Sequence, residues 1–338
     1  MRLLLFSSLL LLSVATLGQD SIVIDQKTDD LDRYNIFLKG EFHDRRIENE
    51  TSFLLLAKHL YAHNNGRYLV FEWGPDFTYI ANLYLQNQTD LQPGKNYLGF
   101  SKTFWDSLVA FNRSRPASDQ FRIEGFDFIR SLFTALAFHE MIRGKEPFAD
   151  PAIQSIINKI LQWKNVPWTW QGQDEFIEQI NELRSLSKKQ EPALKAYFGE
   201  DWPAFSAIVS HDVKSKSTVD RDKKAVNYIK AFLQTKGTGN VLFNYGISHT
   251  FLNGIGLGKL LNEDPQYSGK VCSLYPYYQL PLDEKSQIQQ RKDSYLPANL
   301  LNELENIPSY ALVNVEERGL YPKTFKISQW VYVIPKAK

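Results

Sequence analysis

The sequence predicts an α/β fold: a mainly parallel sheet flanked by helices, with a helical insertion covering the C-terminal ends of the strands. Two observations support this prediction. Short segments of strand-forming residues alternate with segments of helical periodicity over most of the 338 residues. A polar, helical stretch from about residue 150 to residue 217 then interrupts the alternation, and we interpret it as the insertion.

The predicted elements follow a regular order along the chain. Seven segments have the composition of strands: 34–40, 67–73, 121–128, 240–246, 270–279, 310–315 and 329–335. Five segments have the character of helices: 48–64, a segment beginning at 75, 131–143, 220–237 and 248–261. Asn49 is the candidate cap of the first helix, and Pro75 suits the first turn of the second.

The insertion carries four tryptophans: Trp163, Trp168, Trp170 and Trp202. Aromatic side chains dominate hydrophobic cores, so the simpler interpretation is that they form the core of this helical part. The alternative is that some of them form the walls of a pocket.

The first 18 residues have the pattern of a secretory signal peptide. Arg2 precedes an apolar run, and the small residues Thr16 and Gly18 follow it. We therefore expect cleavage near Gly18 or Gln19, so that residues 19–338 form one exported α/β domain without stable membrane association. A retained membrane anchor is the alternative, although the apolar run is shorter than the roughly 20 residues that span a bilayer comfortably.

The composition restricts the compartment and the partners. The chain is 43% hydrophobic and 14% aromatic, as in ordinary globular proteins. The formal net charge of +1 gives no reason to expect nucleic acid as a partner, and we expect a small-molecule substrate. Cys272 is the only cysteine, so no intramolecular disulfide can form. A protein exported to the bacterial periplasm fits this better than a disulfide-rich extracellular one.

Polar side chains follow the four clearest strands, at the point where each strand ends. They are Glu41 with His43, Glu72, Asp127, and Ser248 with His249. Glu41 and His43 are two residues apart, so they point to the same side if the chain stays extended. Ligands of open α/β sheets bind outside the carboxyl ends of the strands. We therefore expect one cavity there that holds Glu41, His43, Glu72 and His249.

These residue types suit the activation of water. A histidine can take a proton from water near neutral pH, and a neighbouring carboxylate can orient the ring and stabilise the imidazolium. A second histidine or an arginine can then hold the developing oxyanion. A divalent metal bound by His43, Glu41, Glu72 and His249 would equally activate water, and this alternative stays open.

Several other catalytic motifs are excluded by the sequence. Ser248 lies on a strand-to-helix turn, but an α/β-hydrolase needs its histidine later in the chain, and no histidine follows His249. Neither an HExxH zinc helix nor a phosphate-binding loop with GK[ST] is present. The glycine pattern near Gly254 follows a late strand, which disfavours a dinucleotide site.

Five motifs between Tyr34 and His249 carry a family resemblance: GEFHD, YLVFEW, EGFDF, RDKKAVNYIKAFL and VLFNYGISHT. In this order they resemble the motifs of the erythromycin esterase-like superfamily. That superfamily includes the erythromycin esterases and, more distantly, the ChaN-type haem-binding lipoproteins and the Tiki/TraB proteins. Two departures from the esterases stand out. The spacing here is GExH, as in the ChaN-type proteins, rather than GExxH, and Tyr245 or Ile247 stands where the esterases tend to carry an extra histidine.

The resemblance implies a role for each matching residue. It makes His43 the base that activates water, and it makes Glu41, Glu72, His249 and Arg221 the residues that assist. We add Asp127 and Trp73 as candidate substrate-binding residues. The expected function is an exported hydrolase of an ester, lactone or amide. The alternatives are a haem- or metal-binding protein of the ChaN type, or a metal-dependent hydrolase or peptidase that uses the same pocket.

Overall fold

The centre of the protein is a β-sheet. The described residues form eight strands of this sheet. The computed structural model describes residues 23–24, 28–43, 45–89, 91, 100–166, 174–236, 239–279, 296, 298–315 and 327–335. The strands are β1 (Val23–Ile24), β2 (Ile36–Glu41), β3 (Gly66–Phe71), β4 (Arg122–Gly125), β5 (Asn240–Gly246), β6 (Val271–Tyr278), β7 (Ala311–Asn314) and β8 (Trp330–Ile334). Their order in the sheet is β1-β7-β8-β6-β2-β5-β3-β4, and every neighbouring pair is parallel except β7 and β8.

Helices flank this sheet. They are α1 (Arg46–His63), α2 (Pro75–Leu85), α3 (Lys102–Arg113), α4 (Ser131–Ile142), α5 (Pro151–Gln162), α6 (Asp174–Lys189), α7 (Glu191–Phe198), α8 (Trp202–Ser210), α9 (Thr218–Thr235), α10 (Ile247–Thr250), α11 (Leu257–Asn262) and α12 (Ala298–Glu305). The predicted α/β class with a mainly parallel sheet is therefore confirmed.

The sheet is buried on both faces, which explains the continuous apolar runs of its central strands. Phe37 of β2 packs with α1, α2 and α3 on one side, which we call the α1 face. Leu38 points to the opposite side and packs with α9 and α11, which we call the α9 face. Because successive residues of a strand alternate between faces, each strand contributes side chains to both clusters.

The predicted insertion is present as helices α5 to α8. They pack on α2 and α4 and on one another. At the end of this helical layer, the carbonyl oxygen of Asp212 accepts a hydrogen bond of 3.2 Å from Ile129 N–H, beyond the carboxyl end of β4. Trp163 donates to Gln179 at 2.9 Å, and Trp202 packs against Phe205, so both indoles belong to the packing of this layer. Trp168 and Trp170 lie outside the described residues.

The prediction that Asn49 caps α1 is wrong. The helix begins at Arg46, three residues before Asn49, and Arg45 occupies the cap position. The Asn49 amide is buried and donates to the carbonyl oxygen of Phe42 at 2.7 Å, while the Tyr278 hydroxyl donates to its oxygen. Asn49 thus holds the loop after β2 in place.

Two other elements differ from the prediction. The single helix expected over 248–261 is divided into α10 and α11. Gly254, between them, has a φ of +108°, and a Cβ on Gly258 would lie 2.5 Å from the carbonyl oxygen of Thr250. Helix α3 was not predicted, although Ser101 caps it by accepting a hydrogen bond of 3.2 Å from Phe104 N–H.

Two expectations concern the membrane. The predicted signal peptide, residues 1–18, lies outside the described residues. Within the part of the chain that is described, no helix has the length and apolar character needed to cross a membrane.

Candidate functional site

The candidate site lies at the carboxyl ends of β2, β3 and β5. These three parallel strands are neighbours in the sheet, so the residues that follow them meet at one edge. The structure brings together the predicted residues Glu41, His43, Glu72, Asp127, Arg221 and His249. It adds three that the sequence prediction missed: Lys39, Asn244 and Asp222.

Glu41 and His43 form a hydrogen-bonded pair. The distance between His43 Nδ1 and Glu41 Oε1 is 3.1 Å, and 69% of the His43 side chain is exposed. An ionised carboxylate only accepts hydrogen bonds, so Nδ1 carries the proton and Nε2 carries the lone pair. The hydrogen bond to Glu41 raises the pKa of His43 above its usual value. Burial disfavours the charge of Glu41, but the hydrogen bond from His43 and the charge of Lys39 outweigh it, and the Glu41 pKa is lowered.

Nε2 of His43 faces the end of β5. A Cβ added to Gly246 would lie 3.0 Å from this nitrogen and 3.4 Å from Glu72 Oε2. His43, which follows β2, and Glu72, which follows β3, therefore both lie next to Gly246 of β5, the strand between them. The glycine leaves the space beside the free nitrogen open.

The second oxygen of Glu41, Oε2, accepts a hydrogen bond from a buried side chain of β5. Asn244 on β5 donates from its Nδ2 to Glu41 Oε2, and its Oδ1 accepts a hydrogen bond of 3.1 Å from Lys39 Nζ. Lys39 is completely buried. Burial lowers the pKa of Lys39 to about 8, against the charge of Glu41, which raises it.

Glu72 and Arg221 form an ion pair on the other side of the site. Glu72 Oε2 accepts a hydrogen bond of 2.9 Å from Gly246 N–H, and Glu72 Oε1 accepts one from Arg221 Nη2. Arg221 also donates to both oxygens of Asp127, at 2.7 and 2.9 Å. The guanidinium, in the first turns of α9, is thus fixed by two carboxylates from the ends of β3 and β4.

His249 is paired with a carboxylate in the same way as His43. Its Nδ1 lies 2.8 Å from Asp222 Oδ1, and its Nε2 lies 3.8 Å from Glu72 Oε1. Burial disfavours the charged ring, but the hydrogen bond to Asp222 and the charge of Glu72 outweigh burial and raise the His249 pKa. The site therefore holds two histidine–carboxylate pairs on either side of Glu72.

Of the two candidate substrate-binding residues, Asp127 is buried and Trp73 is partly exposed. Only 2% of the Asp127 side chain is exposed, and its oxygens accept from Arg221 and Arg130. In this structure Asp127 therefore supports Arg221 instead of presenting its carboxylate to a bound molecule. The Trp73 indole stacks on Phe77, with ring centroids 5.2 Å apart. A contact between substrate and the exposed part of Trp73 stays a prediction.

The predicted metal ligands do not suit a resident cation. Glu72 is bonded to the cationic guanidinium of Arg221, which would repel a metal ion beside it. Both oxygens of Glu41 accept hydrogen bonds, from His43 and Asn244, so this carboxylate is not free to bind a cation. Throughout the described residues, no group of three or more histidine, cysteine, aspartate or glutamate side chains is arranged to hold a metal ion.

Comparison with known proteins finds similarity in structure. No family model matches the chain, and no curated protein matches it in sequence. A solved succinoglycan biosynthesis protein is similar at 12% identity, over 74% of this chain and 67% of that chain, with a TM-score of 0.50. A mutant of the erythromycin esterase EreC in its open conformation is similar at 11% identity, over 75% and 72% of the two chains, with a TM-score of 0.49.

ChaN of Campylobacter jejuni, solved with cofacially bound haem, is similar at 18% identity, over 74% of this chain and 84% of that chain, with a TM-score of 0.33. These matches are similarities of structure, and the one with a TM-score of 0.50 is consistent with the α/β fold described above. At such low identity they carry over neither an activity nor a substrate.

Proposed function

We propose that the protein is a hydrolase of an ester, lactone or amide in which His43 activates a water molecule. The observation that supports this most directly is the pair formed by Glu41 and His43. Glu41 holds Nδ1 of the ring, and Nε2 is left with its lone pair on an exposed side chain. This is the arrangement that a general base requires, because the carboxylate fixes the ring and stabilises the imidazolium that forms.

In the proposed reaction, His43 Nε2 takes a proton from water as the oxygen attacks the carbonyl carbon. A tetrahedral intermediate forms, with negative charge on the former carbonyl oxygen. When this intermediate collapses, the bond to the leaving oxygen or nitrogen breaks, and the imidazolium of His43 returns the proton to the leaving group.

His249 and Arg221 would stabilise the charge that develops. The raised pKa of His249 favours the imidazolium, which can donate from Nε2 to an oxyanion. Arg221 contributes a positive charge that Glu72 and Asp127 hold in one place. Preorganised donors of this kind cost no reorganisation during the reaction.

We also propose that the protein is exported and that residues 1–18 are removed. The apolar start followed by small residues supports this. N-terminal sequencing of the protein recovered from the periplasm should begin near Gln19 or Asp20. An intact Met1 would contradict cleavage and favour a membrane anchor.

The function is tested by screening the mature protein against chromogenic esters, lactones and amides, with and without chelator. We expect turnover that His43→Ala lowers by roughly two to four orders of magnitude, the usual contribution of a general base. His63→Ala is the matched control. It removes an exposed imidazole at the C-terminal end of α1, whereas His43 precedes the N-terminal end of this helix. Circular dichroism should show that both variants are folded.

Three outcomes would contradict the proposal. Full activity of His43→Ala would exclude His43 as the base. Loss of activity with chelator, together with loss of bound metal in the histidine variants, would favour the metal-dependent hydrolase or peptidase. No turnover of any substrate, together with a Soret band on titration with haemin, would favour a haem-binding protein of the ChaN type.

A further inference from the structure

A buried chain of hydrogen bonds connects Lys39 to the candidate base. Lys39 on β2 and Asn244 on β5 are register partners, so their side chains lie next to each other on the α1 face of the sheet. Lys39 Nζ donates to Asn244 Oδ1, Asn244 Nδ2 donates to Glu41 Oε2, and Glu41 Oε1 accepts from His43 Nδ1. The exposed fractions of Lys39 and Asn244 are 0% and 2%.

The Lys39 ammonium sets the orientation of the Asn244 amide. A lysine ammonium only donates, so the Asn244 amide must turn its oxygen toward Lys39. Its NH₂ group then has to face Glu41. The amide donor and the charge of Lys39 both favour the ionised form of Glu41. An ionised carboxylate only accepts hydrogen bonds, so His43 must place its proton on Nδ1. The free lone pair is consequently on Nε2.

We infer that Lys39 and Asn244 are positioning residues that hold His43 in the tautomer a general base requires. This inference rests on the proposed function. The alternative, that Lys39 only stabilises the fold, is disfavoured by its surroundings. A buried charge is costly to desolvate, and replacing buried ionic groups by apolar ones of similar volume is often neutral or stabilising. Phe37, two residues earlier on the same face, shows that this side of β2 packs apolar side chains.

Two variants interrupt the chain at different points. Lys39→Met keeps the unbranched shape and removes the donor, so the Asn244 amide is free to take either orientation. Asn244→Asp keeps the shape of the side chain but leaves only acceptors, so it cannot donate to Glu41. Tyr332→Phe is the matched control. It removes a fully buried hydroxyl that donates to the carbonyl oxygen of Ser52 at 2.9 Å, on the same sheet but outside this chain.

The first measurement needs no substrate. At a fixed pH at which the His43 ring is neutral, ¹⁵N-edited NMR of the imidazole reports which ring nitrogen carries the proton. The signal is assigned by its absence in His43→Ala. We expect the wild type and Tyr332→Phe to show the Nδ1–H form. Lys39→Met and Asn244→Asp should show a mixture of tautomers. An unchanged tautomer in both variants would overturn the inference.

The second measurement is turnover. On any substrate that the wild type hydrolyses, we expect each chain variant to lower kcat roughly 10- to 100-fold, less than the approximately 10⁴-fold loss known for a wrong tautomer in a serine protease triad. KM should stay within about twofold, because neither residue reaches the surface. The double variant should lose no more than the worse single one, since both act through the same chain. Additive losses, or an unchanged kcat, would contradict the inference.

The two measurements separate this inference from the proposed function. The wild type could hydrolyse nothing while the tautomer changes as expected in the variants. The positioning role of Lys39 and Asn244 would then be correct and the proposed hydrolase function wrong. If His43→Ala is inactive while both chain variants keep full kcat, the hydrolase is correct and the positioning role is wrong. If one of the two variants fails to fold, the other is used alone, because either substitution interrupts the chain of hydrogen bonds.

Discussion

Nδ1 of His249 lies 2.8 Å from Oδ1 and 2.9 Å from Oδ2 of Asp222, at a point where both side chains are almost fully buried. The two residues are 27 positions apart in the chain, on α10 and α9. The carboxylate raises the pKa of His249, so it favours the protonated ring that the proposed mechanism uses as a donor.

The charge of Asp222 should therefore matter more than its shape. Asp222→Asn keeps the size of the side chain but removes the charge, so we expect the pKa of His249 to fall. We expect kcat to drop roughly 10- to 100-fold, less than the approximately 10²- to 10³-fold loss for removing an oxyanion donor, because the ring stays in place. Asp220→Asn, a change on the same helix at a half-exposed residue, is the control. NMR titration of His249 and steady-state kinetics check both effects, and an unchanged kcat at a lowered His249 pKa would exclude the imidazolium as the oxyanion donor.

The pH dependence of activity should follow His43. A base works only when it is unprotonated, and the hydrogen bond to Glu41 raises the pKa of His43 above 6.5. We therefore expect kcat/KM to fall as the pH decreases through a midpoint above 6.5. Glu41→Gln should move this midpoint to lower pH, because the amide no longer stabilises the imidazolium. Profiles of both proteins across neutral pH test this, and identical midpoints would show that another group controls the acidic limb.

Removing the Arg221 guanidinium should destabilise the protein. Asp127 and Glu72 would stay mostly buried after losing Arg221, and Asp127 would keep only Arg130 as an ionic partner. Breaking a buried ion pair in this way typically costs about 3–5 kcal/mol in the free energy of unfolding. We expect Arg221→Met to show a loss of that order in urea unfolding. Combining it with Asp127→Asn should cost less than the sum of the two single changes, and strict additivity would indicate that the pair is not coupled.

A buried histidine outside the site should make the stability depend on pH. Burial lowers the pKa of His211 from 6.5 to about 4, and its ring stacks on Tyr228 with centroids 3.9 Å apart. As the pH falls from 6.5 to 4, the unfolded chain binds a proton that the folded chain does not, so the free energy of unfolding should decrease by about 3 kcal/mol.

His211→Phe keeps the stacking with Tyr228 and cannot titrate. We expect the difference in unfolding free energy between His211→Phe and the wild type to grow in favour of the variant as the pH decreases over the same range. Urea unfolding at several pH values measures it. A difference that stays constant with pH would show that His211 is protonated equally in both states.

The sequence predicted the sheet and most of the site because both leave direct signals. Strands such as β2 and β5 are apolar on both faces, and polar residues follow their ends at one edge of a parallel sheet. His249 was among these strand-end residues, and the family resemblance then indicated Arg221. The prediction was weaker for residues whose role depends on packing, as the misplaced cap Asn49 shows.

Three residues of the site could not be identified from the sequence, for physical reasons. Lys39 is charged within an apolar strand, and sequence alone does not distinguish a buried lysine from one that reaches solvent at the strand end. Asn244 acquires its role only through its register with Lys39. Asp222 is one of two aspartates flanking Arg221, and the rotation of α9 decides which of them faces His249.

Gly246 is a position at which a single mutation can impair the site. Its φ of −48° is open to other residues, so what the position demands is space and not backbone freedom. A single-base change from a glycine to an alanine codon would place a methyl group about 3.0 Å from the free nitrogen of His43, with every ionisable group of the site unchanged. This change would alter the VLFNYGISHT motif at one position and leave every acid and histidine of the site in place. In descendants that no longer need the reaction, we expect the full set of acids and histidines to persist beside an alanine here, with the His43 ring displaced and the activity lowered.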